Sequence, residues 1–470
     1  MSRTISLDKV TPTAARRLMR DLTVKVTTAS GTSEVMCFLE YNDKLHIPMG
    51  YDTTWLGEMD PLPTFSSHVY TPVKSLYSGK EQLERGVEPD KVKDQQEIYD
   101  QVIGWDSFAL CLSTGMGKTG LSAIIAAKDG GRTIVFCPRI DILDQWEDEF
   151  KACGVTVGWV TNPQANELPD TTVLLSTIEM GRKLSPVQMR DIKTVIYDEA
   201  HLSTITGMTE TLLKTTPARL IICTATMKRI DGAHKGLALY YGDHCVIRVL
   251  KKDFTIVKCL TGIVPNTSKK ISIAGRSRMD YTAAIASINS DPRFPKLIAN
   301  FLRALYHSTT EGKIVVLFRE KCVINDVTPL LADVDYFVSM GSTKIKRELG
   351  NQRLILAIDK KMKEGVDLRG VKHVVQTYSS PSIEQAEGRA RDDDFYFWYF
   401  VSDARVHENH WDEALKWCHE RSRGEYVTKV LHLALEYAEA LSSTQAALSQ
   451  GEGPTKGSNE ASSSTSSSSP

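Results

Sequence analysis

Residues 112–120 read LSTGMGKTG, placed between the apolar run FALCL and the helical pattern LSAIIAAKDGG. One reading is a flexible turn. The other is a phosphate cradle, in which glycine lets successive backbone N–H groups curl inward around an anion. The following helix adds unpaired N-terminal N–H groups and the positive end of its dipole. In that cradle Gly115, Met116, Gly117, Lys118, Thr119 and Gly120 would hold a nucleotide, with Lys118 on the β- and γ-phosphates and the Thr119 hydroxyl on Mg²⁺. The full phosphate-loop pattern carries a further glycine five residues before Gly117, where this chain has Leu112.

A second constellation is TVIYDEAH, residues 194–201. An apolar run ending in two acids can serve as the start of an acidic helix. It can equally hold Mg²⁺ through Asp198 while Glu199 orients and deprotonates a water. Thr224-Ala225-Thr226 close another apolar run, where hydroxyls could couple nucleotide state to the neighbouring lobe. EGVDL (364–368) follows a later apolar run, and QAEGRARDDD (385–394) sets Arg389 and Arg391 beside Gly388. GRAR is either a solvated surface turn or a source of positive charge for a γ-phosphate transition state.

These residues need elements to position them. From about 86 to 250, short apolar, β-branched runs alternate with helical stretches: FALCL, RTIVFCP, TVLLST, TVIYDE and RLIICTAT. A second series follows from about 310: KIVVLFRE, VDYFVSM, RLILAID, HVVQTYSS and FYFWYFVSD. Strands apolar on both faces belong in parallel sheets covered by helices, and such sheets bind ligands at the strand C-termini. The fold class expected is therefore α/β, with two tandem parallel-sheet domains, a small N-terminal accessory module and a disordered tail. The expected boundaries are 1–85 for the module, 86–250 and 251–405 for the two sheets, 406–443 for C-terminal helices and 444–470 for the Ser-rich tail. Within 406–443, HWDEALKWCHER and YVTKVLHLALEYAEALS both read as helical.

Composition narrows the class. With 470 residues, 41% hydrophobic and 24% charged, the chain is ordinary for a globular protein of two or three domains. Its net charge of −1 leaves no global basic field, so nucleic acid would have to bind a local groove. No apolar run has the length of a membrane span and the N-terminus MSRTISLDKV lacks a signal-peptide core. The nine cysteines include no Cys-x-x-Cys pair and lie mostly in apolar runs, as buried reduced thiols do. The expectation is an intracellular chain, cytoplasmic or nuclear, neither secreted nor membrane-bound.

In order along residues 92–402, the motifs resemble the series of superfamily 2 DEAH-box helicases. VKDQQEIY looks like the leading motif, with Gln96 reading adenine; LSTGMGKT resembles motif I, DEAH motif II and TAT motif III. IVFCPRIDILDQWEDEF, LLSTIEMG and KIVVLFRE are similar to motifs Ia, Ib and IV, and EGVDL and QAEGRAR to V and VI. The resemblance implies nucleotide contacts from Gly365 and Asp367, catalytic roles for Gln385, Arg389 and Arg391, and nucleic-acid contacts from Pro138, Arg139 and Thr177. Gln145-Trp146, TATMKRIDG, SDPRFPKLIANFL and KLHIPMGY look like the branch holding XPB, the phage UvsW helicase and the poxvirus transcript-release helicase. Two positions depart from the pattern: Asp392 stands where the second motif VI arginine is usual, and Ile358-Asp359 stand where motif V commonly has a threonine nearby.

What the resemblance implies is an ATP- and Mg²⁺-dependent helicase or translocase with two tandem RecA-like domains, hydrolysing ATP between those two lobes and acting on DNA ahead of RNA, in viral transcription, replication or repair, with that machinery as partner and virion association as a further expected location. The alternatives are a translocase that displaces proteins or transcripts without processive unwinding, an RNA helicase, and a catalytically dead binding module. Lys118, Asp198 and Glu199 argue against the last.

Overall fold

The computed structural model describes residues 2–28, 31–66, 89–113, 115–224, 234–249, 251–273, 276–340, 351–359, 368, 370–380, 383, 394–423 and 426–433. It divides into two compact units, Met1–Leu250 with Ser272–Arg278, and Lys251–Ile271 with Met279–Pro470. Among the described residues no helix is long and apolar enough to cross a membrane.

The first unit begins with β1 (Ser2–Ser6), helix α1 (Pro12–Asp21), the paired strands β2 (Thr23–Thr28) and β3 (Gly31–Met36), then β4 (Leu39–Tyr41) and β5 (Lys44–Pro48). β1, β5 and β4 form an antiparallel three-stranded sheet. One apolar cluster joins Ile5, Leu18, Leu45, Ile47 and Met49 to Leu212, Tyr240 and Tyr241 of the following sheet domain. Gly50 lies so close to the backbone of Tyr240–Gly242 that a Cβ would fall 2.2 Å from the Gly242 nitrogen, so only glycine fits.

Helix α2 (Pro89–Val102) then leads into a seven-stranded sheet. Its strands are β6 (Ser107–Leu112), β7 (Arg132–Cys137), β8 (Val157–Trp159), β9 (Val173–Thr177), β10 (Ile192–Tyr197), β11 (Arg219–Thr224) and β12 (Cys245–Arg248), in spatial order β12-β6-β11-β10-β7-β9-β8. Every pairing is parallel. β6 is buried along its whole length, as its unbroken apolar run requires. Helices α3 (Lys118–Asp129), α4 (Ile140–Ala152), α5 (Ile205–Leu212) and α6 (His234–Tyr241) supply the crossovers and faces.

The second unit repeats the architecture. β13 (Phe254–Leu260) and helices α7 (Tyr281–Asn289) and α8 (Arg293–Ser308) come first, and between β13 and α7 the chain forms the paired strands β14 (Lys270–Ile273) and β15 (Arg276–Met279), of which Ser272–Arg278 group with the first unit. β16 (Lys313–Phe318), helix α9 (Lys321–Val327), β17 (Tyr336–Ser339), β18 (Leu354–Ile358), β19 (Val371–Gln376), β20 (Phe395–Val401), helix α10 (Arg405–Arg421) and β21 (Val427–His432) follow. The main sheet runs β17-β18-β16-β19-β20-β13-β21, again wholly parallel. Two tandem parallel-sheet α/β domains are thus the architecture, as the alternating runs imply.

The elements differ from expectation at the C-terminal end. HWDEALKWCHER falls within α10, but residues 427–432 of the second helical pattern form β21, paired with β13. The reason is the β-branched VTKV stretch beside an open sheet edge, where tertiary pairing overrides a 3.6-residue pattern. α10 buries Trp411, Ala414 and Cys418 in the core of the second sheet. Most cysteines are buried as expected; Cys322 is exposed and Cys245 partly so.

Candidate nucleotide site

Parallel strands bring three functional segments to one edge. The glycine loop follows β6, Asp198 follows β10, and Thr224 ends β11, which lies between those two strands. Gly115 and Gly117 have φ of 89° and 82°, the left-handed region that favours glycine. Gly117 directly precedes α3, whose residues Leu121–Ala127 are all buried, so the helix start is held rigidly against the sheet. The Lys118 ammonium donates to the Leu112 carbonyl at 2.6 Å and lies 3.5 Å from that of Ser113. Thr119 is half-buried in the first turn.

One glutamine reaches this loop, and it is Gln95. Its Nε2 donates to the Met116 carbonyl at 2.8 Å, and a Cβ on Gly117 would sit 2.3 Å from the same nitrogen. Gln96, the residue expected from the motif, instead donates to Asp100 at 2.9 Å on the exposed side of α2. Successive helical residues are rotated by about 100°, so two neighbouring glutamines cannot face the same loop. Gln95 is thus the glutamine of the pair that contacts the loop.

The acid pair is more tightly held than its sequence suggests. Asp198 is buried; its Oδ2 accepts from the Trp146 indole Nε1 at 2.8 Å and its Oδ1 from the Glu199 backbone N–H at 2.8 Å. Burial first, and the Glu199 charge second, push the Asp198 carboxyl up to about 6, against the pull of Trp146 and Lys118. Glu199 has φ 48° and ψ 45°, a left-handed backbone that a non-glycine residue adopts at some cost and that recurs where function requires it. His201 Nδ1 lies 3.3 Å from Glu199 Oε2 and 3.1 Å from the buried Thr224 hydroxyl. A single ring nitrogen therefore links the acid segment to the end of β11.

Pro138-Arg139 and Thr177 follow or end the adjacent strands β7 and β9, where Cys137 and Thr177 are register partners. The Thr177 side chain accepts from the Met180 N–H at 3.2 Å. In the second unit Arg319, just after β16, lies over the Tyr281 ring at 5.1 Å, and the Tyr281 hydroxyl donates to the Ser379 carbonyl beyond β19. Ala225, Thr226, Gly365, Asp367, Gln385, Arg389 and Arg391 lie outside the described residues.

The residues present fit a nucleotide carrying a hard divalent cation. The loop offers a left-handed glycine turn, a lysine and the N-terminus of a twelve-residue helix, and the oxygen donors nearby are a carboxylate and a hydroxyl. Sequence reasoning missed Gln95 and the part played by Trp146. Trp146 carried only a family likeness, and no local spacing signals a donor that acts 52 residues away.

Comparison with known proteins points the same way. The DEAD/DEAH box helicase family matches residues 92–232. "Putative helicase 109L" of Invertebrate iridescent virus 3 is 32% identical over 171 residues, 35% of this chain and 52% of that protein. "Probable helicase D10" of Escherichia phage T5 is 24% identical over 320 residues, 64% of this chain and 67% of that one. The chain thus spans about half the length of the first relative and about two thirds of the second. Among solved structures, S. cerevisiae Dbp5 L327V bound to RNA and ADP BeF3 superposes with a TM-score of 0.54 at 12% identity, covering 78% of this chain and 98% of that one. That likeness concerns the fold.

Proposed function

Since this chain carries a superfamily 2 helicase core of the DEAD/DEAH box kind, we propose that it is a nucleic-acid-dependent ATPase that couples ATP hydrolysis to movement along or unwinding of nucleic acid. DNA is put ahead of RNA because the extended motifs resemble the branch holding XPB and the phage UvsW helicase. By the same reading, viral transcription, replication or repair machinery is the setting in which it works.

The observation that carries the proposal is the convergence at one sheet edge of Lys118, Asp198, Glu199 and Thr224, although Asp198 lies 80 residues and Thr224 lies 106 residues beyond Lys118 in sequence. In the proposed cycle the loop N–H groups and Lys118 bind the phosphates, and Gln95 braces the loop from α2. Mg²⁺, held by Thr119 and Asp198, would neutralise charge on the phosphate oxygens when bound. Glu199 orients the attacking water and accepts its proton. His201 transmits the state of Glu199 to Thr224 and so to the segment beyond β11. Gly365 and Asp367 contact the nucleotide, and Gln385, Arg389 and Arg391 complete the catalytic set. Arg389 is assigned the transition-state charge because it directly follows Gly388, with Arg391 two residues on. Pro138, Arg139 and Thr177 grip the nucleic-acid backbone through phosphates.

The test is ATP turnover with single- and double-stranded DNA and RNA, the Lys118→Ala variant serving as blank. Stimulation by nucleic acid that Lys118→Ala abolishes is expected, and Lys118→Ala turnover within threefold of the parent would overturn the assignment. Strand displacement measured beside displacement of a bound protein separates unwinding from translocation alone.

A further inference from the structure

Strand β19 ends at Gln376, yet the chain beyond it is held residue by residue within the second unit. The Thr377 N–H and hydroxyl both donate to the Leu317 carbonyl, at 3.1 and 3.0 Å. The Tyr378 carbonyl accepts from the buried Gln376 amide at 3.0 Å. The Ser379 carbonyl accepts from the Tyr281 hydroxyl, and His410 Nδ1 lies 3.3 Å from the Ser379 hydroxyl. One phenol then serves both backbone groups of Ser380: the Tyr399 hydroxyl accepts from its N–H at 2.5 Å and donates to its carbonyl at 2.6 Å. Backbone past a strand end must find its partners in side chains or water, and here side chains supply them.

The two tyrosines are themselves firmly placed. Tyr281 opens α7, whose N-terminus Asp280 caps through the Ala283 N–H at 3.0 Å. Tyr399 is fully buried on β20, its ring 5.7 Å from that of Trp411 on α10. Ile383 is buried in the same apolar cluster as Tyr399 and Trp411. Gln385 follows Ile383 by two residues in sequence and Arg389 follows it by six. None of the expected motifs includes Tyr281, Tyr399 or His410.

We propose that Tyr281 and Tyr399 are positioning residues for ATP hydrolysis: their hydroxyls fix Ser379 and Ser380, from which the chain runs on to Gln385, Arg389 and Arg391. The proposal rests on the helicase reading, which gives those three residues their catalytic role. A group that stabilises transition-state charge must be placed to within about 0.5 Å, and a misplacement of about 1 Å costs on the order of a hundredfold in rate. A hydroxyl that holds the chain upstream therefore acts on rate rather than on nucleotide affinity.

The experiment removes the two hydroxyls and keeps the rings, with Tyr281→Phe, Tyr399→Phe and the double variant. Single-turnover ATP hydrolysis in the presence of nucleic acid is measured beside the affinity for a fluorescent ADP. Each single variant should lose about 10-fold in rate and the double variant about 10- to 100-fold, with ADP affinity within twofold of the parent. The same changes are then made in Arg389→Ala and in Arg391→Ala backgrounds. In the background of whichever arginine carries the charge, the tyrosine changes should cost less than twofold, because residues acting as a unit are not additive. Rates within twofold of an active parent, losses that are additive in both backgrounds, or a matching loss of ADP affinity overturn the positioning role alone. Should the double variant fail to fold, the single variants are judged by the same criteria. A parent whose ATP turnover no nucleic acid stimulates overturns the helicase reading, and the positioning role with it.

Discussion

The indole Nε1 of Trp146 donates a 2.8 Å hydrogen bond to Oδ2 of Asp198, with both side chains buried. Trp146 sits on α4 and Asp198 just after β10, so the bond ties a covering helix to the acid end of a central strand. Together with the Glu199 N–H on Oδ1, a donor in that position fixes the orientation of the carboxylate and favours the charged form that burial opposes. A bond to a charged group in such a place contributes about 1.5–3 kcal/mol.

Trp146→Phe keeps the ring and removes the donor. The half-saturating Mg²⁺ concentration for ATP hydrolysis should rise by about tenfold, as groups that orient a metal-holding side chain commonly influence affinity by one to two decades. Mg²⁺-dependent binding of a fluorescent nucleotide should shift in parallel. An unchanged Mg²⁺ dependence, in a variant that folds, would show that the bond serves packing alone.

Glu199→Gln preserves shape and removes the base. Nucleotide affinity should stay within a few-fold of the parent while single-turnover hydrolysis falls by about 10²–10⁴. If nucleotide binding is lost instead, Glu199 acts in holding the metal or the loop.

Gln95 and Gln96 provide a direct comparison of neighbours. Gln95→Ala removes the bond to the Met116 carbonyl and should raise KM for ATP about tenfold, since the loop loses its brace. Gln96→Ala removes only an exposed contact to Asp100 and should leave KM within twofold. Titration of initial rates against ATP decides between them, and the reverse order would return the role to Gln96.

His373 should make stability depend on pH. Its Nδ1 accepts from the Trp398 indole at 3.2 Å, so the ring is neutral there, and burial first, then Arg353 and Lys372, hold its pKa down to about 4. The unfolded value is about 6.5. Between those values the unfolded chain binds more protons, so stability is full above about 6.5 and falls toward pH 4 by up to about 1.4 kcal/mol per pH unit. His373→Gln keeps an acceptor without the titration, so its denaturant midpoints at pH 7.5, 6 and 5 should fall less steeply than the parent's. Parallel profiles would exclude His373 as a source.

The two parallel sheets were legible from the sequence because strands buried on both faces must be short and apolar, as FALCL is, and most here are β-branched as well, as TVIY and KIVVLF are. The glycine loop was legible because positive φ at Gly115 and Gly117 needs glycine, whatever lies around it. Local chemistry of that kind travels with the residue type. β21 was not legible, since a VTKVLH stretch becomes strand only when an open edge of β13 is beside it. Gln95 over Gln96, and Trp146 on Asp198, were likewise decided by tertiary structure. Which of two adjacent side chains faces a loop depends on the rotation of α2, and which indole meets a carboxylate depends on how α4 lies across the sheet. Sequence determines which groups exist and which backbone shapes they permit; packing between elements distant in the chain decides which of them meet.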